Sequence, residues 1–119
     1  MAEHNDLGAL GEALAIQFLI DKNYTILTRN WRFKKAEIDI IAQKEHQIII
    51  VEVKTRNSDF FGDPQSFVNP AKIKLLIKAA NEYLVSNAIH LETRFDIIAV
   101  LKNKTTQSIK HFENAFYHF

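Results

Sequence analysis

Two segments rich in Ile and Val, AEIDIIAQ at 36–43 and QIIIVEVKT at 47–55, follow one another across a three-residue gap, and each carries charge inside its apolar run. Segments of this length and composition read as strands, and so short a connection makes them an antiparallel pair. A half-buried strand hides one face, yet Glu37, Asp39, Glu52 and Lys54 interrupt these two. Charge in such a place is costly unless it is paired or bound to a metal. The hairpin therefore constrains the fold and the chemistry together.

With the turn centred on Glu45 and His46, any loop of even length sets Ile41 across from Ile50, Asp39 from Glu52 and Glu37 from Lys54. Glu-His fits a two-residue primed turn poorly, so a four-residue loop over 44–47 built on a type I turn is expected; both options keep this register. An odd loop would shift it by one and part the two carboxylates. In the even register Glu37, Asp39, Glu52 and Lys54 share one face with Ile41 and Ile50, while Ile38, Ile40, Val51 and Val53 share the other. Opposed carboxylates about 5 Å apart at Cβ repel each other. Lys54 offsets only part of three negative charges, and a divalent cation such as Mg²⁺, with its preference for oxygen ligands, fits better. The alternative is an interstrand salt-bridge cluster on a wetted sheet face, in which each pair contributes little.

Around this hairpin, residues 6–21 read as a helix with Asp6 as N-cap. On its wheel Glu12 falls between Leu19 and Ile16 inside the apolar sector, with Gln17 and Asp21 on the wet side, so Glu12 either reaches outward or faces a buried cation. Residues 24–33 have strand composition. RNSDFFGDPQSFVNP marks a loop over about 56–69, long enough to suggest a functional role. Asn69 and Pro70 start a second helix, with Ile73, Leu76, Ile77, Ala80 and Leu84 as its core stripe and Lys74, Lys78 and Asn81 opposite. Residues 93–102 form a strand, and a last strand or extended tail follows the NKTTQ turn. This order describes one α/β domain spanning all 119 residues, with a mixed sheet covered by helices.

The chain has no cysteine, which removes disulfides, thiolate nucleophiles and Cys-based zinc sites. It shows neither a signal-peptide pattern nor an apolar run of about 18 residues, so a cytoplasmic protein without membrane attachment is expected. Net charge is only +1, but 11 of the 15 Lys and Arg lie between Lys22 and Lys78. Within that span Arg29, Arg56 and Lys72 are candidates for phosphate contact, against the plainer reading of a solvated surface. Arg94 and Asp96, on one face of the later strand, either support the site or form an internal pair. Trp31, Phe60 and Phe61 are core aromatics or base-stacking platforms. The five His show no metal-ligand spacing, and His46 reads as an exposed turn residue.

Asp39, a step of thirteen residues, and then EVK at 52–54 resemble the D…(D/E)-x-K core of the PD-(D/E)XK nuclease superfamily. The longer set LGALGEALA, ILTRNWR, AEIDIIA, VEVKTR, FFGDPQSFVNPAK and RFDIIAV is more specific. It resembles the YraN-like family of uncharacterised bacterial endonuclease-like proteins over about residues 7–101. The resemblance implies a restriction-endonuclease-like core in the order α-β-β-β-α-β. It makes Asp39 and Glu52 the metal ligands, Lys54 the contact to the reacting phosphate or its water, and Glu12 the accessory helix carboxylate of resolvase-like members, with Glu37 in support. Where the family usually has Gly before that Glu, this chain has Ala36, which puts the start of the strand in question.

The implied activity is Mg²⁺- or Mn²⁺-dependent hydrolysis of phosphodiester bonds in nucleic acid, with DNA the expected kind. A bound metal offsets charge on the phosphate oxygens and lowers the pKa of a bound water. Carboxylates around Lys54 are expected to hold its pKa up, giving it an electrostatic role rather than that of a base. The alternative is a nucleic-acid-binding or complex-forming module without turnover, against which the intact Asp, Glu and Lys set argues. A chain of this size offers little surface for a branched substrate, so a second copy or a protein partner is expected to complete it.

Overall fold

The computed structural model describes residues 3–58 and 68–116. Helix α1 (Glu3–Asp21) leads into strands β1 (Thr25–Phe33), β2 (Ala36–Lys44) and β3 (Gln47–Arg56); helix α2 (Pro70–Ser86) then precedes β4 (Glu92–Lys102) and β5 (Gln107–Phe112). The strands form one mixed sheet in sequence order: β3 and β4 are parallel, with α2 as their crossover, and every other neighbouring pair is antiparallel. The expected last strand is thus β5. The expected loop over 56–69 falls largely on residues 59–67, outside the described residues, as do Phe60 and Phe61.

Each helix covers one face of the sheet. Ile73, Leu76, Ala79, Ala80 and Tyr83 of α2 pack with Ile38, Ile41, Ile48, Ile50, Phe95 and Ile97, while Ala15 and Leu19 of α1 pack with Ile40, Ala42, Ile49, Val51, Ile98 and Val100. Strand β4 is buried on both sides, as the apolar run Ile97 to Leu101 demands. A fully buried Ile or Leu contributes about 1.5–3 kcal/mol, so these two layers supply most of the cohesion. Ile77 and Leu84, expected in the α2 stripe, are partly buried at its margin. No helix among the described residues is long and apolar enough to cross a membrane.

Local chemistry sets the helix ends. Asn69 caps α2 by accepting the Lys72 N–H at 2.8 Å, and Pro70 sits where a missing N–H costs nothing. Helix α1 already runs from Glu3, so Asp6 lies inside it and does not cap it. Gln17 donates to Asp21 at 2.8 Å on the wet side, as the wheel requires. At Gly11 an added Cβ would lie 1.9 Å from Thr55 Oγ1. Only glycine permits this approach of α1 to β3, and it is this approach that brings Glu12 to the end of the sheet.

The hairpin differs from expectation in two respects. Its connection is the two-residue turn Glu45-His46, not a four-residue loop: Lys44 and Gln47 still pair, and Glu45 takes the left-handed conformation at φ 55. Glu45 has no glycine's freedom, but packing of the two strands outweighs that local cost. The register is the even one, with Ile41 across from Ile50 and Ile40 from Val51, and there the ladder stops. Asp39–Glu52 and Glu37–Lys54 lie beyond its last pair.

The second difference is a swap of faces. Ala36 and Ile38 pack on the α2 side, whereas Ile40 and Ala42 pack on the α1 side, so the pleat breaks at Asp39. Ile38 and Ile40 therefore do not share a face. Strand β1 breaks with it: Trp31 and Phe33 join the α2-side core, Arg29 reaches α1, and Asn30 between them adopts φ 53. Asparagine is among the few residues that take this conformation at modest cost. Ala36 keeps an ordinary backbone and is buried; the left-handed residue of the β1–β2 turn is Lys34, at φ 56.

Candidate functional site

Where β2 and β3 stop pairing, a cleft of about 490 Å³ opens. It is lined by Leu7, Gly8 and Glu12 of α1, by Asp39, and by Val53, Lys54, Thr55 and Arg56 with Asn57 after them. Four of the residues singled out in the sequence, Glu12, Asp39, Lys54 and Arg56, thus meet at one place. The break in β2 is what permits this. Beyond the last β2–β3 pair, the Asp39 carboxylate takes the place of a strand carbonyl and accepts the Val53 N–H at 2.8 Å.

Glu52 belongs to the same centre from below. It is almost fully buried on the α2 side, and its Oε2 accepts from Lys72 Nζ. Burial is the largest cause of the shift at Asp39, and the Glu52 carboxylate beside it is the next; together they push Asp39 up to about 8. The Val53 N–H pulls the other way and does not prevail. Glu12 is likewise raised, first by burial, against the opposing pull of Arg29 and Asn30. Its Oε1 is buried without a hydrogen bond, and Arg29 Nη2 stands 3.9 Å away. This end of the sheet therefore gathers negative charge that the protein only partly neutralises.

Lys54 departs from expectation. Burial, then Arg56 and Lys72, hold its ammonium below the usual value, and Glu52 and Asp39 do not outweigh them. The two cations that tip the balance reach it from the end of β3 and from α2. Glu37 is half-exposed and takes Arg32 Nε at 2.8 Å, so it adds charge near Glu12 but lies outside the cleft lining. Lys72 meets Glu52 and Arg29 meets Glu12. Trp31 stacks with Phe33 and meets Tyr83 edge-on, as a core residue does. His46 is exposed in its turn.

Arg94 and Asp96 form a network of their own, away from the cleft lining. Arg94 donates through Nε and Nη2 to the two oxygens of Asp96 at 2.9 and 2.8 Å, and through Nη2 to Tyr24 Oη at 2.7 Å. His111 Nε2 donates to Asp96 Oδ2 at 2.7 Å, and the Asn114 N–H donates to Oδ1 at 2.9 Å. Burial pushes Asp96 up, but the bonds from His111, Arg94 and Asn114 outweigh it and the carboxyl stays below its usual range. Tyr24, His111 and Asn114 were not foreseen, because nothing local ties them to Arg94. The role of Gly11 was also missed, although a glycine inside a helical pattern is itself a sign of close approach.

The chain matches the model of Uncharacterised protein family UPF0102 over residues 11–100. A UPF0102 protein of Flavobacterium psychrophilum is 65% identical over the full length of both chains, and one of Flavobacterium johnsoniae is 54% identical, again over all of both. One of Bacteroides fragilis is 44% identical across 98% of this chain and 97% of that one. The chain belongs to the UPF0102 family. This is the YraN-like family to which the motifs pointed, and the matched span takes in Glu12, Asp39, Glu52, Lys54 and Lys72.

Among the described residues no group of three or more His, Asp or Glu side chains is placed to hold a metal ion. Two of the carboxylates are held by other groups, Glu52 by Lys72 and Glu12 by the longer contact to Arg29. The donor chemistry nonetheless suits a hard divalent cation. Asp39 and Glu52 offer carboxylate oxygens side by side, Glu12 Oε1 accepts no hydrogen bond and has only the longer contact to Arg29, and Mg²⁺ is commonly held by one or two carboxylates plus water.

Proposed function

We propose that this protein is a Mg²⁺- or Mn²⁺-dependent nuclease of the PD-(D/E)XK type, acting on nucleic acid and on DNA in particular. The observation that carries the reading is the Asp39 carboxylate set beside that of Glu52 and near Lys54, just beyond the last β2–β3 pair, with a Glu12 oxygen that accepts no hydrogen bond facing them. The order α1-β1-β2-β3-α2-β4 follows the restriction-endonuclease-like core, which supports it further.

Asp39 and Glu52, with Glu12 beside them, would hold the cation, which supplies charge neutralisation at the phosphate and a bound water of lowered pKa. Asp39 is fixed for this by the Val53 N–H. Lys54 reaches the reacting phosphate and offsets the charge that builds on its oxygens; burial first, and then the neighbouring Arg56 and Lys72, hold its pKa below the usual value. Arg56 extends the positive rim of the cleft and Arg29 stands over Glu12, where each can meet a neighbouring phosphate. The pair between Lys72 and Glu52 favours a second reading, a nucleic-acid-binding module without turnover, since it occupies one of the carboxylates.

The test is cleavage of a labelled panel of single strand, duplex, flap, four-way junction and RNA, with Mn²⁺ and with EDTA, running Asp39→Ala beside wild type. Products that need metal and vanish in the variant support the nuclease and name its substrate. Salt-dependent binding to the same panel without products in any lane supports the binding module instead.

A further inference from the structure

Lys72 stands in the first turn of α2, where Asn69 caps its own N–H at 2.8 Å, and its side chain crosses to β3 to donate to Glu52 Oε2. The two partners are unequally fixed. The Glu52 side chain is 8% exposed and belongs to the sheet, whereas that of Lys72 is 42% exposed and enters from the surface. A lysine stem has four rotatable bonds, so this ammonium can leave while α2 and β3 stay as they are. The carboxylate it holds is the neighbour that helps push Asp39 up. An ammonium and a divalent cation brought to the same carboxylate repel each other, so the ammonium weakens cation binding there. Lys72 also helps depress the Lys54 pKa, so its position is felt across the whole cleft.

We propose that Lys72 is a latch on the cation site. Without nucleic acid its ammonium holds Glu52 and keeps the affinity for divalent cations low; a backbone phosphate in the cleft draws the ammonium off Glu52, and cation binding tightens. The inference rests on the nuclease reading above and adds an order to it: cation and phosphate help each other bind, and by linkage the coupling is the same in both directions. Such a device keeps the site from filling before a substrate is present. In this role Lys72 is a positioning residue that acts through Glu52.

The full-length chain is titrated with Mn²⁺, with free Mn²⁺ followed by electron paramagnetic resonance so that hydrolysis does not enter the readout. Wild type, Lys72→Met and Lys72→Gln are compared, alone and with a short DNA duplex. Both variants are expected to bind Mn²⁺ roughly fivefold or more tightly than wild type without DNA, and the duplex should tighten wild type while leaving the variants little changed. The same substitutions placed on Glu52→Gln should have no effect, which separates a latch from a general charge effect. Unchanged or weaker Mn²⁺ binding in both variants, with wild type still binding, overturns the latch and leaves the cation site standing. Equal tightening of wild type and variants by the duplex overturns it as well. No Mn²⁺ binding by any of the folded proteins overturns the latch and the nuclease reading together.

Discussion

Asp39 and Asp96 are two inward-facing carboxylates in one sheet, on strands separated only by β3, and their surroundings are opposite. Burial disfavours the charge of both. Asp96 takes two bonds from Arg94, one from His111 and one from the Asn114 N–H, and these outweigh burial. Asp39 has the single N–H of Val53 and looks onto Glu52 and Glu12. One acid is fully met by donors within the protein; the other is not. Burial therefore does not by itself mark a functional carboxylate, and unmet charge does.

Removing each acid separates the two cases. Asp96→Ala leaves the Arg94 guanidinium half-buried without its main partner, and stability should fall by about 3–5 kcal/mol, read from urea unfolding. A loss under 1 kcal/mol would show that the network is replaceable. Asp39→Asn should do the reverse in metal-free buffer. In the fold the Asp39 carboxyl is pushed up from 3.8 to about 8, so the folded chain binds that proton more tightly than the unfolded one. Its stabilising contribution is full below about pH 3.8, falls as pH rises and is gone above about 8. Wild type should therefore lose ground to the variant between pH 5 and pH 8, at up to about 1.4 kcal/mol per pH unit. Parallel stability curves for the two proteins would remove the claim that burial and the neighbouring carboxylates disfavour the Asp39 charge.

Smaller effects sharpen the picture. Gly11→Ala puts a methyl group against Thr55 and should cost about 1–3 kcal/mol through displacement of α1, lowering activity with it because Glu12 moves too. A variant as stable as wild type would mean that Thr55 simply turns aside. Arg32→Ala breaks the exposed pair with Glu37 and should change stability by less than about 1 kcal/mol. A larger loss would tie Glu37 to the cleft more firmly than its exposure suggests.

Much of this was legible in the chain. Asn69-Pro70 announces α2, alternation and β-branched runs announce the strands, and charge inside an apolar hairpin announces Asp39, Glu52 and Lys54. What was not legible depends on partners brought together from afar. Tyr24 and Arg94 lie 70 residues apart, and His111 sits on a short strand with little apolar pattern. The swap of faces at Asn30 and Asp39 hides inside two runs that alternate well on either side of it. The Lys54 pKa went the other way because its carboxylate neighbours were visible along the strand, while burial and the approach of Lys72 were not.

The most direct test of the contrast between the two acids is urea unfolding at pH 7.5 with saturating Mn²⁺ and with EDTA, for wild type and for Asp39→Ala with Glu52→Ala. The expected result is that Mn²⁺ at about a hundred times its dissociation constant stabilises wild type by about 2.7 kcal/mol and leaves the double variant unmoved. An equal gain in both proteins would place the cation elsewhere and contradict the account of Asp39 and Glu52 as its ligands.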